Sequence, residues 1–318
     1  MKYVHASSVE KPRIYKYMTY YTKTLVTEIW RWVQKQDIGP SPRYSFSMTF
    51  DSNSRKIIVF GGTSINFELR NDTWEWIDQI WTQIADTGPS PRTQHKMIYD
   101  SHRGKIILFG GYDGNVLKGD TWQYDGNEWM HVADTGPPPR GVHAMAYDSD
   151  RSRTILFGGA NETSLMNDTW EWDGTEWTQV ADIGPSLRAY PSMVYESSKK
   201  AILLFGGADL TSPFGDTWRM KNNVWTKVQD MGPGPLAGGD MVYTGSRAVL
   251  YGGYNGVVMN HDTWDWKGSL WTQRQNMGPA ARALHSMAYD SERNCIILFG
   301  GFNGSILLND TWELTVTQ

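Results

Sequence analysis

The sequence predicts an all-β fold, a six-bladed β-propeller with four antiparallel strands per blade, and three observations predict it. A double glycine recurs at Gly61, Gly110, Gly158, Gly206, Gly252 and Gly300, at steps of 49, 48, 48, 46 and 48 residues. A fixed period of that length marks a repeat architecture. Ten or eleven residues after each pair comes Asp-Thr-Trp, beginning at Asp72, Asp120, Asp168, Asp216, Asp262 and Asp310. Seven residues past each of the first five of those tryptophans stands another: Trp81, Trp129, Trp177, Trp225 and Trp271.

Each strand of the unit has its own reason. "GVHAMAYD" (141–148) alternates, placing His143, Met145 and Tyr147 on one face of an innermost strand. "RTILFGG" (153–159) is a continuous apolar run, the pattern of a strand buried on both faces. "DTWEW" and "EWTQV" follow, joined by the turn "DGT". No segment holds a 3.6-residue apolar period over three turns, so helices are not expected. The last copy lacks its outer tryptophan, which would fall at position 319, and the match lies at the other end of the chain. Trp32 in "WVQKQDIGPSPR" corresponds to Trp81 in "WTQIADTGPSPR". Residues 25–36 are therefore expected to supply the outer strand of the last blade, and 25–318 to form one propeller. Closure of this kind removes exposed sheet edges. Residues 1–24, basic and tyrosine-rich, are expected to be a disordered arm.

Composition narrows the function. The chain has 318 residues, 40% hydrophobic and 20% charged, with a net charge of −4, which argues against a nucleic-acid partner. No window offers the about 20 continuous apolar residues of a membrane helix, and the N-terminus lacks the apolar stretch of a secretory signal. The single cysteine, Cys295, excludes a disulfide framework within the chain. A cytoplasmic monomer is expected. All sixteen tryptophans fall in the repeat frame, so their number is explained by packing between blades.

At the double glycine, the spaced tryptophans and a period near 50, the chain resembles the kelch-repeat family over about residues 27 to 315. The shorter period and Trp-Asp strand ending of WD40 propellers do not fit. The resemblance implies a binding surface at the mouth of the central channel, with a minority of such domains being enzymes. Copper-radical oxidation, as in the galactose oxidase-like propellers, needs a tyrosine–cysteine crosslink, whereas Cys295 lies in the apolar strand "NCIILFGG". The iron-binding spacing of kelch specifier proteins stops short: Glu68 and Asp72 fit, but Trp76 follows. Neither a metal nor another cofactor is expected.

In a four-stranded blade, the loop from strand two to three and the loop from strand four to the next blade emerge on one face. Both are long here, so a site belongs on that face, around the channel mouth. Arg43, Arg92, Arg140, Arg188 and Arg282 share one position just before the innermost strand. Such a ring would attract a carboxylate, a phosphate or an acidic peptide. The structural alternative pairs each with the acid six residues earlier, Asp37, Asp86, Asp134 or Asp182. Arg282 has Asn276 there and Asp230 faces Leu236, which leaves Arg282 as the arginine expected to touch a ligand. His95, His143 and His285 share a position that reads as blade packing. The variable loops add Tyr112, Asp113, Tyr254 and Phe302, and blade four adds Tyr190 beside Pro191, with a notch expected toward Gly239. Two functions follow. One is a binding module for a protein, an acidic peptide or a small anionic or carbohydrate-like ligand. The other is a stand-alone enzyme using Glu162, Asp209, His261 or Tyr190 in acid–base chemistry against an arginine-held substrate.

Overall fold

In the computed structural model of the chain, which describes residues 28–36, 38–229, 231–275 and 277–317, six four-stranded antiparallel sheets form the blades of a ring. The arm at 1–24 lies outside the described residues. Each blade's innermost strand contacts the innermost strands of both neighbours, and these contacts run round without a gap. Blade three shows the unit, with Ala144–Asp148, Arg153–Ala160, Leu165–Trp172 and Trp177–Ala181 in sheet order.

The core lies between blades. Met145 packs with Ile107 and Phe109 of blade two, whereas Ala144 and Ala146 pack with Met193 and Tyr195 of blade four. In the second strand Ile155 and Phe157 face blade four and Leu156 faces blade two, all three fully buried. Burying one such side chain contributes about 1.5–3 kcal/mol. The innermost strand is shorter than its alternation suggests. It begins at Ala144 because Val142 is left-handed, with φ 56°, and turns the chain before the strand starts.

The ring closes through strand β1, Ile29–Gln36, which pairs antiparallel with Leu307–Thr317 and sets Trp32 opposite Leu314. The N-terminal strand completes the last blade. A second device joins the blades: each outer-strand indole N–H donates to the threonine of the preceding blade's Asp-Thr-Trp. Trp129 bonds Thr73 at 3.0 Å, Trp177 bonds Thr121 at 2.9 Å, and Trp81 bonds Thr311 at 2.8 Å across the closure.

The double glycine is required by its neighbours. Gly110 and Gly111 have φ of 68° and 95°. A Cβ on Gly110 would stand 2.6 Å from the Arg140 carbonyl oxygen, and one on Gly111 the same distance from that of Thr93. Inter-blade loops therefore press on both residues, and no other residue type fits both the space and the dihedrals.

Candidate functional site

The five repeated arginines are buried, each 0% or 1% exposed. Arg282 is representative. Its Nη1 donates to Asp310 Oδ1 at 2.7 Å and to the Gly300 carbonyl at 2.9 Å, its Nη2 to Asp310 Oδ2 at 2.7 Å, and its Nε to the Ala280 carbonyl at 3.0 Å. Arg43, Arg92, Arg140 and Arg188 make the same fork with Asp72, Asp120, Asp168 and Asp216.

Two expectations are corrected here. The partner is the aspartate of Asp-Thr-Trp in the same blade, not the acid six residues upstream. Asp134 instead pairs with His131 at 2.9 Å, while Asp37 and Asp230 lie outside the described residues. Nor does Arg282 reach toward a ligand. A guanidinium buried this completely needs a planar carboxylate and carbonyls to offset its lost hydration, and four of its five N–H donors are spent on them. Burial alone would raise the five aspartate carboxyls, but the arginine hydrogen bonds and charge outweigh it and hold each below its ordinary value.

The channel mouth on the long-loop face is pinched by backbone. Ser45, Gln94, Val142, Tyr190, Gly238 and Leu284, one per blade, all have φ between 52° and 68°. Each donates its N–H to the carbonyl of the corresponding residue one blade back: Gln94 to Ser45 at 2.8 Å, Val142 to Gln94 at 2.9 Å, and so round to Ser45 on Leu284 at 2.9 Å. Six backbone hydrogen bonds thus close a circle. Five of the six residues carry a side chain in a conformation that favours glycine, a strain tolerated because the ring of bonds fixes it. The cavity at this ring is about 60 Å³. Pro191 and Gly239, where the sequence suggests a notch, line this same small space.

A second cavity in the channel, about 470 Å³, lies below the ring and runs to the short turns of the opposite face. Lys96 and Asp240 meet in it, with Nζ 3.3 Å from Oδ1. Asp240 Oδ2 also accepts from Ser286 Oγ at 3.0 Å and from the Met287 N–H at 2.7 Å. The two charges break a column otherwise made of Ser47, Ala144, Ser192 and Ser286. That break is the sequence signal that could have found them. His95, His143 and His285 pack edge-on against Phe60, Phe109 and Tyr251. Burial pushes His95 and His285 down to about 3 and His143 well below its ordinary value, so all three are neutral.

This geometry coincides with a sequence match. The model of the KLHDC2/KLHL20/DRC7 Kelch-repeats domain fits residues 7–132 and 75–253, two overlapping stretches that cover most of the chain. The chain belongs to the kelch-repeat family. Kelch propellers are typically protein-binding modules. No curated protein sequence matches the chain.

On this kelch propeller the rim residues divide by use. Asp113 is held by Lys118 at 2.6 Å and accepts from the N–H groups of Asn115 and Val116; the lysine first, and then these amides, hold its carboxyl down at about 2. Tyr112 and Tyr254 close their own loops by donating to the carbonyls of Gly114 and Gly256, both at 2.7 Å. Phe302 lies against Tyr44 with ring centroids 6.4 Å apart. Tyr190 is part of the pinched ring, and burial raises its phenol. Glu162 and His261 are exposed, whereas Asp209 Oδ1 accepts from Thr211 and Ser212 in its own turn. Among the described residues no hydrogen bond or ion pair joins any two of Glu162, Asp209, His261 and Tyr190.

The apolar rim was not legible in single loops. Phe67, Val116, Leu210, Val257 and Ile306 stand exposed at the tips of the two-to-three loops of five blades, Leu210 at 90% and Phe67 and Val257 at 82%. Ile38, Ile183, Met231 and Met277 are exposed in the inter-blade loops of the same face.

Proposed function

We propose that the chain is a protein-binding module whose contact surface is the long-loop face of the propeller. The observation that carries this reading is the apolar tip on five of the six blades, all on one side of the ring. An apolar side chain at a loop tip gains nothing from folding, and several on one face are the usual mark of an interaction surface. The arginines contribute by holding the double-glycine loops and inter-blade loops in place, not by contact. The pinched mouth directs a partner onto the rim and away from the channel.

The test is a pair of matched surface variants in affinity capture with quantitative mass spectrometry. Leu210→Asp with Val257→Asp changes the long-loop face. Ile80→Asp with Val224→Asp changes exposed apolar residues at the short turns of the opposite side. A partner lost from the first variant and retained by the second supports the reading. A partner retained by the first and lost from the second overturns it.

A further inference from the structure

Blade five breaks the arginine–aspartate rule on one side. Asp262 keeps its place in Asp-Thr-Trp, but Leu236 stands where the other blades carry arginine. Leu236 is 3% exposed and packs into the apolar core with Phe205, Leu250 and Trp266. It offers no donor. Asp262 is half-buried, and Asn260 Nδ2, at 3.2 Å from Oδ2, is a neutral neighbour in place of a guanidinium. A second group is left over with it. In the five other blades the Asp-Thr-Trp indole donates to the second oxygen of the paired aspartate, as Trp312 does to Asp310 and Trp218 to Asp216. Trp264 Nε1 is buried with no acceptor.

The charge of the surrounding face points the same way. With the five arginines sunk beneath the surface and neutralised, Arg70 is taken by Glu68 and Lys118 by Asp113. Among the described residues Asp86, Glu162, Asp182, Asp209 and Asp262 of these loops have no lysine or arginine within ion-pair distance. The turns of the opposite face carry nearly equal numbers of basic and acidic residues. The long-loop face is therefore acidic where the bare sequence, read as a ring of exposed arginines, suggests a basic one. Complementarity across an interface then selects a cation.

We propose that Asp262 receives an arginine side chain of the protein partner, which supplies from outside the guanidinium that blade five lacks within. This rests on the long-loop face being the contact surface, and it reverses the expected chemistry of the partner: a basic and apolar segment, not an acidic peptide. Val257 and Met277, both exposed on this face, suit apolar residues beside the arginine. A planar guanidinium matches a carboxylate with two parallel hydrogen bonds. Its arrival would also draw Asp262 into the geometry of its counterparts and give Trp264 Nε1 an acceptor.

The experiment follows the indole N–H resonances of the isotopically labelled full chain, with Trp264 assigned through Trp264→Phe. The probe is N-acetyl-arginine amide, and the neutral isostere N-acetyl-citrulline amide is the control. A saturable shift of the Trp264 resonance with the arginine probe is expected, absent with citrulline and absent in Asp262→Asn. Leu236→Arg, which fills the site from within, is expected to unfold at higher urea and to lose the response. No saturable shift, an equal shift with citrulline, or a shift that survives in Asp262→Asn overturns the assignment. If Leu236→Arg fails to fold, Asp262→Asn still decides. Partner capture separates the two readings. A partner lost from Leu210→Asp/Val257→Asp but retained by Asp262→Asn leaves the binding face standing and overturns the arginine site.

Discussion

Trp32, in the N-terminal strand, donates its indole N–H to Thr263 Oγ1 of blade five at 3.0 Å, across 231 residues of sequence. The bond is one of six that tie each outer strand to the preceding blade, and it holds the segment that closes the ring.

Thr263→Val keeps the branched shape and removes the acceptor, leaving Trp32 Nε1 buried and unpaired. The expected cost is about 1–3 kcal/mol, the usual penalty for an unsatisfied buried donor. Thr263→Ser, which keeps the hydroxyl, should cost less. Urea unfolding of the three proteins decides the matter, and equal midpoints for Val and wild type would remove the bond's role in closure.

Arg140→Met breaks a buried pair and strands the Asp168 carboxylate. A loss of about 3–5 kcal/mol is expected. Adding Asp168→Asn should restore much of it, because the stranded charge then disappears. Thermal unfolding of the single and double variants tests this, and strictly additive losses would contradict it.

Stability should fall on acidification. His95 and His285, at about 3, and His143 remain neutral in the fold, whereas unfolded imidazoles protonate near about 6.5. The unfolded state thus binds more protons below that pH. The contribution is complete above about pH 6.5 and is lost as pH falls toward about 3. The five depressed aspartates act in the same direction once pH passes below their unfolded value, about 4. Urea midpoints measured between about pH 8 and pH 5 should decline, and His→Gln at all three positions should flatten the decline. A midpoint that rises with acid would refute the assignment.

Lys96 and Asp240 should contribute unequally. Asp240→Ala removes the ion pair and also the acceptor for Ser286 Oγ and the Met287 N–H. Lys96→Met removes the ion pair alone, and Lys96 is partly solvated. The aspartate variant should therefore lose more stability, by about 1 kcal/mol or more. Equal losses would show that the channel pair, and not the strand-end acceptor, is the effective element.

Much of the architecture was legible in the sequence because it is periodic. Gly110, Trp129 and Asp120 each recur five more times or nearly so, and six copies of a weak pattern define blades, strands and the outer strand lent by Trp32. The arginine partners differ from the expected acids for a physical reason. Asp86 is near Arg92 in sequence, but the fork that Arg92 makes is with Asp120, 28 residues on, where the third strand returns beside the first loop. The retained Asp262 opposite Leu236 was visible as a broken column, yet its meaning depended on knowing that the two columns meet.

Local patterning repeated at a fixed step is enough to set the number of blades, the strand pattern and the exchange of the terminal strand. The tertiary structure alone decided which charges neutralise one another, that a circle of backbone hydrogen bonds pinches the mouth, and that Lys96 meets Asp240 from 144 residues away. Those relationships come into being when the ring closes, because closure brings loops and first strands from different blades within hydrogen-bond distance.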